Sequence, residues 1–365
     1  MGRYKQPYTL WKRKMPSGLT VYYYRFYLPD GTRSNYYSTG QTTKGRAVQY
    51  IERLRKEDRL GKPDSPLFEE YFGEWWGPNC PYVARKKSRG KNLSPTFIDA
   101  RNSWTRRFIA PTFGGKRLDT IRPGDVETWL TTLTQEHKLA HGTANHVFKT
   151  LRLMLNEAVR LGDLNKNPCD AVEQLYYEAK EQPIFTPAEL RKILNRKHWE
   201  DVVSWAATAL AAGTGARQGE VLAARVEDFD DDVWHITRGW RRKHGEASTK
   251  TGKTRHVPLP ALAREAVQGR IQAVGHGYII SDLGDRPIDP KRINASLYEA
   301  MEKAQVARNE RHFHTLRHTF NSLLAGRLDP AQIRRLTGHA TEKMREHYTH
   351  TDAKALLDDI ESAFK

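Results

Sequence analysis

The chain has 365 residues, with 60 Lys and Arg against 43 Asp and Glu, a formal net charge of +17. Hydrophobic residues make up 38%, which is enough for packed cores, and the length favours two or three domains. No apolar run approaches the ~18 residues of a membrane span, and no apolar signal segment follows Met1, so we expect a cytoplasmic protein with no membrane partner. Two cysteines are too few for a disulfide scaffold. The charge favours a polyanion, most often nucleic acid, as the partner.

Residues 1–64 predict a small α/β module with 14 Lys and Arg against five Asp and Glu. Three segments, over 11–14, 21–27 and 33–38, predict a three-stranded sheet, and the second is rich in aromatic residues, which strands prefer. Residues 44–60 predict a charged helix. The aromatic side chains can pack a very small core or line a nucleic-acid groove, and we expect both on different faces. The DNA-contact candidates of this module are Lys12, Arg13, Lys14 and Arg25.

Residues 65–176 predict an all-α domain. Apolar residues at helical spacing indicate a helix from about Leu67, another that stops at Pro111, and two more over 121–133 and 143–161. Between the first two helices, residues 78–94 predict a basic, glycine-containing loop. Its basic run supplies two further DNA-contact candidates, Arg85 and Lys86, although such a run is usually a solvated surface.

Residues 184–365 predict a mostly helical domain. Thr186 and Glu189 form a capping box with Pro187 at the first helical position, which marks a helix start. Two β-rich segments, over 233–237 and 255–259 with a Gly/Lys turn between them, predict a short β insert. The predicted fold class is therefore multidomain and mainly α, with one small α/β module at the N-terminus.

Four short motifs in residues 213–350 carry residue types suited to phosphate chemistry. In chain order they supply Arg217 with Glu220, Lys250 with Lys253, His314 with Arg317, and His339 with Tyr348. Each motif alone has an ordinary explanation, since a Gly-rich turn, a His-x-x-Arg pair or a late tyrosine occurs in many proteins. The Gly-rich turn lacks the Gly-Lys-Ser/Thr ending of a nucleotide-binding loop, and the histidines lack zinc-motif spacing. We therefore expect neither ATP nor a metal.

Together the motifs fit nucleophilic attack on a phosphodiester. Arg217 and Arg317 can each donate two hydrogen bonds to the non-bridging oxygens, which gain charge in the transition state. The phenol of Tyr348 has an ordinary pKa near ~10, so it becomes a nucleophile only where cations favour its phenolate.

The remaining motif residues fit supporting roles. His314 could accept the phenol proton or orient the phosphate, and His339 could donate to a non-bridging oxygen. A lysine on a hairpin, Lys250 or Lys253, could protonate the leaving 5′-oxygen. We expect Glu220 to hold Arg217 or His314 in place rather than to react.

In this order and spacing the motifs resemble the tyrosine recombinase (phage integrase) family across residues 184–365. Residues 65–176 are similar to its core-binding domain, and residues 1–64 resemble the arm-type DNA-binding domain of lambda-like integrases. The resemblance implies an integrase of a phage or integrative element that cuts and rejoins DNA through a 3′-phosphotyrosine, with Lys250 as the general acid and Lys253 as its rival. It implies no cofactor. Its implied partners are double-stranded DNA at core and arm sites, a homotetramer on synapsed DNA, a host DNA-bending protein and an excisionase.

Two other functions compete with this one. A type IB topoisomerase uses the same residue types without bringing two sites together, but the N-terminal module and the core-binding similarity count against it. A non-catalytic DNA-binding regulator would explain the charge but not the complete catalytic set.

Overall fold

The computed structural model describes residues 7–14, 20–28, 31–61, 65–77, 79–178, 181–248, 254–325, 327–338 and 361. These residues form two compact units, Met1–Glu178 and Ala179–Lys365. Helices dominate both units, and short strands form three small sheets. This architecture confirms the predicted fold class. The further division of the first unit at about residue 64 stays a prediction.

The first unit opens with an antiparallel sheet of β1 (Tyr8–Lys14), β2 (Thr20–Phe26) and β3 (Tyr37–Ser38), on which α1 (Lys44–Lys56) packs. Alternation of side chains along a strand turns one face toward α1 and the other toward solvent. A small core forms where Tyr8 and Tyr24 of the sheet meet apolar side chains of α1. The aromatic residues therefore do fill a small core, as one of the two predicted uses requires.

The last strand and the helix of this sheet module are shorter than predicted. Residues Arg33 and Tyr27 still form an isolated antiparallel bridge, but the backbone N–H of Phe26 donates to the Ser34 hydroxyl (3.0 Å), and only Tyr37–Ser38 forms the strand β3. The helix ends at Lys56, and Asp58 just beyond it has a positive φ of 52° that no helix continues through.

Helices α2 to α7 build the rest of the first unit. Their bounds are α2 Phe68–Phe72, α3 Pro81–Ser88, α4 Pro95–Trp104, α5 Ala110–Phe113, α6 Pro123–Gln135 and α7 His141–Leu161. The α7 helix is the centre of the core, and Gly162 ends it in the left-handed conformation with φ 85°.

Two predictions for this region are wrong. The segment predicted as a loop over 78–94 contains α3, whose Tyr82 and Val83 pack against the core. The basic residues that follow them in α3 interrupt the apolar spacing by which a helix is recognised in the sequence. The helix predicted to stop at Pro111 continues to Phe113, because a π-helical turn, Thr105–Ile109, precedes it. The wider turn accommodates a residue that has no N–H to donate.

The second unit surrounds a nearly fully buried helix, α9. Its helices are α8 Pro187–Leu194, α9 Val202–Thr214, α10 Gln218–Ala223, α11 Ala261–Val274, α12 Pro290–Lys303, α13 Phe313–Leu324 and α14 Pro330–Thr337. Helices α11, α12 and α13 pack on α9. The predicted capping box starts α8, where Thr186 accepts from the N–H of Glu189 at 3.2 Å.

The β insert is larger than predicted. Strands β4 (Phe229–Asp230), β5 (Val233–Ile236) and β8 (Arg255–Pro258) form one antiparallel sheet. Between β5 and β8, where the sequence predicts a Gly/Lys turn, β6 (Arg238–Arg241) and β7 (Gly245–Ser248) form a separate two-stranded sheet. The sequence hides this hairpin because its residues are mostly polar and no alternation of apolar residues marks it.

Gly215 ends α9 and fixes the direction of the chain that follows. Its φ is +62°, and a Cβ built on it would lie 2.4 Å from Cδ1 of Phe320 in α13. Only glycine fits both constraints, since an L side chain would be strained by the backbone and would overlap a buried ring.

Gly215→Ala should therefore destabilise the protein by more than the ~1 kcal/mol that a positive φ alone costs. The matched control is Gly275→Ala at the end of α11, where φ is +71° but no atom lies within 4 Å of an added Cβ. Denaturant unfolding of both variants checks this. If the two variants lose the same free energy of unfolding, the Phe320 ring moves aside for the added methyl group without an energetic cost.

Candidate active site

The structure brings together four of the predicted site residues in the second unit. They are Arg217, Glu220, His314 and Arg317. Lys250, Lys253, His339 and Tyr348 lie outside the described residues. Arg217, Glu220, His314 and Arg317 lie where the start of α10, the strand β8, the start of α13 and the end of α14 meet.

Arg217 is presented by the sharp turn between α9 and α10. It is the residue just before α10, and its backbone N–H donates to Glu220 Oε2 at 2.8 Å, which caps the helix. The side chain also turns back, with Nη1 2.9 Å from Glu220 Oε1 and Nη2 3.4 Å from the Gly338 carbonyl. The prediction that Glu220 holds Arg217 agrees with these contacts.

A second arginine, Arg255 of β8, binds the other side of the same carboxylate. Its Nη1 and Nη2 donate to Glu220 Oε1 at 3.1 Å and Oε2 at 2.6 Å, while Nε donates to the Leu336 carbonyl at 2.8 Å. Both side chains are buried, Arg255 at 6% and Glu220 at 3% exposure. Burial alone would raise the pKa of Glu220, but the hydrogen bonds and charges of Arg255 and Arg217 lower it to about 2. The carboxylate is therefore ionised at neutral pH.

Arg255 is the site residue that sequence reasoning missed. It lies in the strand predicted over 255–259, at a position whose neighbours Val257 and Leu259 are also buried. A charged residue at an inward position of a predicted strand was the available signal, because such a charge requires a buried partner.

Arg317 is buried in the first turns of α13, with 2% of its surface exposed. Its Nη1 donates to the Gly215 carbonyl at 2.7 Å and its Nη2 to the Thr337 carbonyl at 2.6 Å. Burial and the nearby charges of Arg217 and Arg255 lower its pKa to about 9, so it stays protonated at neutral pH. Among the described residues of this cluster, two guanidiniums bind the Glu220 carboxylate and the third, Arg317, lies near enough for their charges to act on it, so the cluster is positively charged.

His314 lies one helical turn before Arg317, with its ring centroid 5.0 Å from that of His318. The residue is exposed at its outer edge, yet its pKa is lowered to about 4 by desolvation of the ring and by the charges of His318 and Arg317. At neutral pH the imidazole is uncharged, and an uncharged imidazole can accept a proton.

Three of the four predicted DNA contacts of the N-terminal module interact with tyrosine rings. Lys12 lies over Tyr22 at 5.7 Å, Arg13 over Tyr23 at 5.8 Å and Arg25 over Tyr36 at 4.9 Å. The fourth residue, Lys14, is exposed at the end of β1. Cation–π contacts of this kind hold the charged ends in place without neutralising them.

The two predicted DNA contacts of the helical region, Arg85 and Lys86, lie on α3. The Arg85 guanidinium forms an ion pair with the buried carboxylate of Glu157, which also accepts from Arg160 Nε at 2.8 Å. Lys86 lies over the Tyr82 ring at 5.4 Å. Arg85 thus has a structural partner already.

The described residues hold neither a membrane-spanning helix nor a metal-binding cluster. No helix there is long and apolar enough to cross a membrane. No group of three or more His, Cys, Asp or Glu side chains within the same ranges could hold a metal ion.

Comparison with known proteins agrees with the geometry of this cluster. Residues 183–355 match the model of the phage integrase family. This match assigns residues 183–355 to the phage integrase family of tyrosine recombinases. The protein is accordingly an enzyme that cuts and rejoins DNA at specific sites.

Several proteins share this similarity at the level of sequence. The shufflon-specific DNA recombinase of Escherichia coli is 26% identical over 259 residues, which is 68% of this chain and 62% of that protein. Tyrosine recombinase XerC of Rhizobium meliloti is 29% identical over 335 residues, or 83% of this chain and 98% of that protein.

Solved structures share the fold. A lambda integrase dimer bound to a core site superposes with a TM-score of 0.60 at 17% identity, covering 93% of this chain and 96% of that one. The Tn1549 transposon integrase in complex with a circular intermediate DNA gives 0.61 at 20% identity, covering 76% and 98%.

Glu220→Gln should cost about 3 kcal/mol of the free energy of unfolding, because it leaves buried guanidiniums without their counter-charge. The control is Glu227→Gln, whose side chain is 55% exposed beside Arg225 and Arg238 and should change stability by less than ~0.5 kcal/mol. Denaturant unfolding at pH 7 measures both.

The stabilising effect of Glu220 should also depend on pH. The native pKa of Glu220 lies below its unfolded value, so its contribution is complete above the unfolded pKa of ~4.3 and is lost as the pH falls toward 2. The stability difference between wild type and Glu220→Gln should therefore shrink below pH 4. A difference that stays constant down to pH 2.5 would contradict the assigned ionisation.

Proposed function

We propose that this recombinase is the integrase of a phage or another integrative element, and that it joins DNA through a covalent 3′-phosphotyrosine on Tyr348. The observation that carries the proposal is the cluster of Arg217 and Arg255, bound to the single carboxylate of Glu220, with the Arg317 guanidinium close to both arginines. A cluster of this charge suits an anion as its ligand. A phosphodiester supplies one charge and two non-bridging oxygens.

In the proposed reaction Arg217 and Arg317 bind the scissile phosphate. Charge grows on its non-bridging oxygens as the nucleophile attacks, and fixed donors stabilise that growth more than they stabilise the ground state. Both guanidiniums are already oriented, Arg217 by Glu220 and Arg317 by two backbone carbonyls. Little reorganisation is then required when DNA binds.

The phenol of Tyr348 forms the new bond to phosphorus as the bond to the 5′-oxygen breaks. The uncharged imidazole of His314 accepts the phenol proton, and His339 donates a hydrogen bond to the phosphate. Lys250 gives a proton to the departing 5′-oxygen, with Lys253 as the rival donor.

The phosphotyrosine retains the energy of the broken phosphodiester. A 5′-hydroxyl of another strand gives its proton to the lysine and attacks the phosphorus, and the leaving phenolate of Tyr348 takes its proton back from His314, so the steps balance without ATP, a metal or any other cofactor. Each step transfers one phosphoryl group and one proton between groups of the chain and the DNA.

Strand exchange between two DNA sites needs more than one subunit. A lambda integrase tetramer bound to a Holliday junction has been solved, at a TM-score of 0.57 and 17% identity to this chain. We infer a homotetramer on two synapsed double-stranded core sites here as well. A host DNA-bending protein and an excisionase belong to the same proposal, as does action in the cytoplasm.

We further propose three functional domains: 1–64 for arm sites, 65–176 for core sites and 184–365 for catalysis. The exposed face of the N-terminal sheet supports the first of them. Trp11 is 57% exposed and Tyr36 45%, with their rings 5.5 Å apart, and cations of β1 and β2 flank them. Flat rings next to Lys and Arg suit a DNA groove and its phosphates.

Tyr348→Phe should abolish covalent attachment to a core-site duplex and leave DNA affinity within about threefold, because only the nucleophilic oxygen is lost. Denaturing gel electrophoresis of the protein–DNA adduct measures the first effect and equilibrium binding the second. Tyr298→Phe is the matched control. Tyr298 lies on α12 with its ring beneath the Arg308 guanidinium, and the variant should form the adduct normally. A stable adduct formed by the Tyr348→Phe variant would refute the assigned nucleophile.

Replacing Arg13 and Arg25, the cations on the Trp11 face of the sheet, by Gln should weaken binding of the full chain to its arm DNA and lower the slope of log affinity against log salt by about two. Cleavage of isolated core sites should be unchanged. The control replaces two exposed cations of α1, Lys44 and Arg46, by Gln and changes the charge equally. Equal weakening in both double variants would mean that net charge, not the sheet face, binds the arm DNA.

A further inference from the structure

The carboxylate of Glu220 is held from two opposite sides. Oε1 accepts from Arg217 Nη1 at 2.9 Å and from Arg255 Nη1 at 3.1 Å. Oε2 accepts from the Arg217 backbone N–H at 2.8 Å and from Arg255 Nη2 at 2.6 Å. The two-point contact from Arg255 fixes the plane of the carboxylate, which a single contact could not do.

Arg217 depends on that plane for its own position. Its other side-chain contact in the described residues is the 3.4 Å hydrogen bond from Nη2 to the Gly338 carbonyl, which is long for a hydrogen bond. If the carboxylate rotates, Arg217 Nη1 loses its acceptor at 2.9 Å and the guanidinium can take other rotamers.

Arg255 also joins the strand that follows the lysine motif to the end of α14. Its Nε donates to the Leu336 carbonyl, and a Cβ built on Gly338 would lie 3.1 Å from its Nη1. All three guanidinium nitrogens of Arg255, Nε included, donate to acceptors within the protein, and two of them hold the Glu220 carboxylate, which fits a supporting role in the site.

We propose that Arg255 is a positioning residue for strand cleavage, acting through Glu220 on Arg217. The inference rests on the proposed function of the cluster. Replacing a buried pair by apolar side chains is often neutral for stability, so a buried Arg–Glu pair beside a reactive arginine is better explained by the geometry it imposes. A displacement of about 1 Å in a catalytic group can reduce a rate by on the order of a hundredfold.

The test compares Arg255→Met with Arg270→Met in the full chain. Arg270 is also 6% exposed in the second unit, and it donates to the backbone carbonyls of Ile279 and Ser281. We expect Arg255→Met to bind a core-site duplex within about threefold of wild type and to form the covalent adduct roughly ten- to a hundredfold more slowly once bound. Arg270→Met should form it at the wild-type rate per folded molecule.

A double-variant cycle separates positioning from general loss of structure. In an Arg217→Ala background, Arg255→Met should slow adduct formation by less than about threefold, because the residue it positions is already gone. If Arg255→Met does not fold, Arg255→Lys takes its place, since it keeps the charge but cannot bind both carboxylate oxygens and Leu336.

The outcomes distinguish this inference from the proposed function. A wild-type chain that forms no adduct overturns the proposed function and the inference with it. A wild-type chain that forms the adduct, combined with an Arg255 variant that is equally fast or equally slowed in both backgrounds, overturns the inference alone.

Discussion

One buried carboxylate holds the proposed catalytic centre of this protein together. Glu220 caps the helix that presents Arg217, accepts from the Arg217 side chain and receives both terminal nitrogens of Arg255. Ionised side chains are rarely buried to 3% unless they are paired, and here a single negative charge serves more than one cation. The arginines of this cluster carry more positive charge than the Glu220 carboxylate neutralises, and a bound phosphodiester can neutralise more of it.

The surrounding fold makes this arrangement rigid before DNA is bound. The left-handed turn at Gly215 ends α9 against Phe320 and aims its carbonyl at Arg317. The end of α14 supplies the Thr337 and Leu336 carbonyls to the two buried arginines. Backbone carbonyls orient a guanidinium without cancelling its charge, so α9 and α14 preorganise the site and keep its field positive.

Sequence patterns anticipated most of the helices, because apolar spacing and caps are local features, and the motifs pointed to Arg217, Glu220, His314 and Arg317, which the structure brings together. They did not reveal Arg255, whose partner Glu220 lies 35 positions away in the sequence and is adjacent only after β8 has formed. They also failed at Pro111, where a π-turn overrides the usual helix-ending effect of proline. In both cases the structure differs from what local sequence preference predicts, because contacts within the folded protein outweigh that preference.

The central claim is that the arginine cluster is a preformed site for one phosphodiester. Denaturant unfolding of the DNA-free chain with dimethyl phosphate, against the uncharged trimethyl phosphate at equal ionic strength, tests it most directly. We expect dimethyl phosphate alone to raise the unfolding midpoint in a saturable way, and Arg317→Met to abolish the effect, because a ligand that binds only the folded state stabilises it. Equal midpoints with the two compounds, or an effect that survives Arg317→Met, would contradict the account.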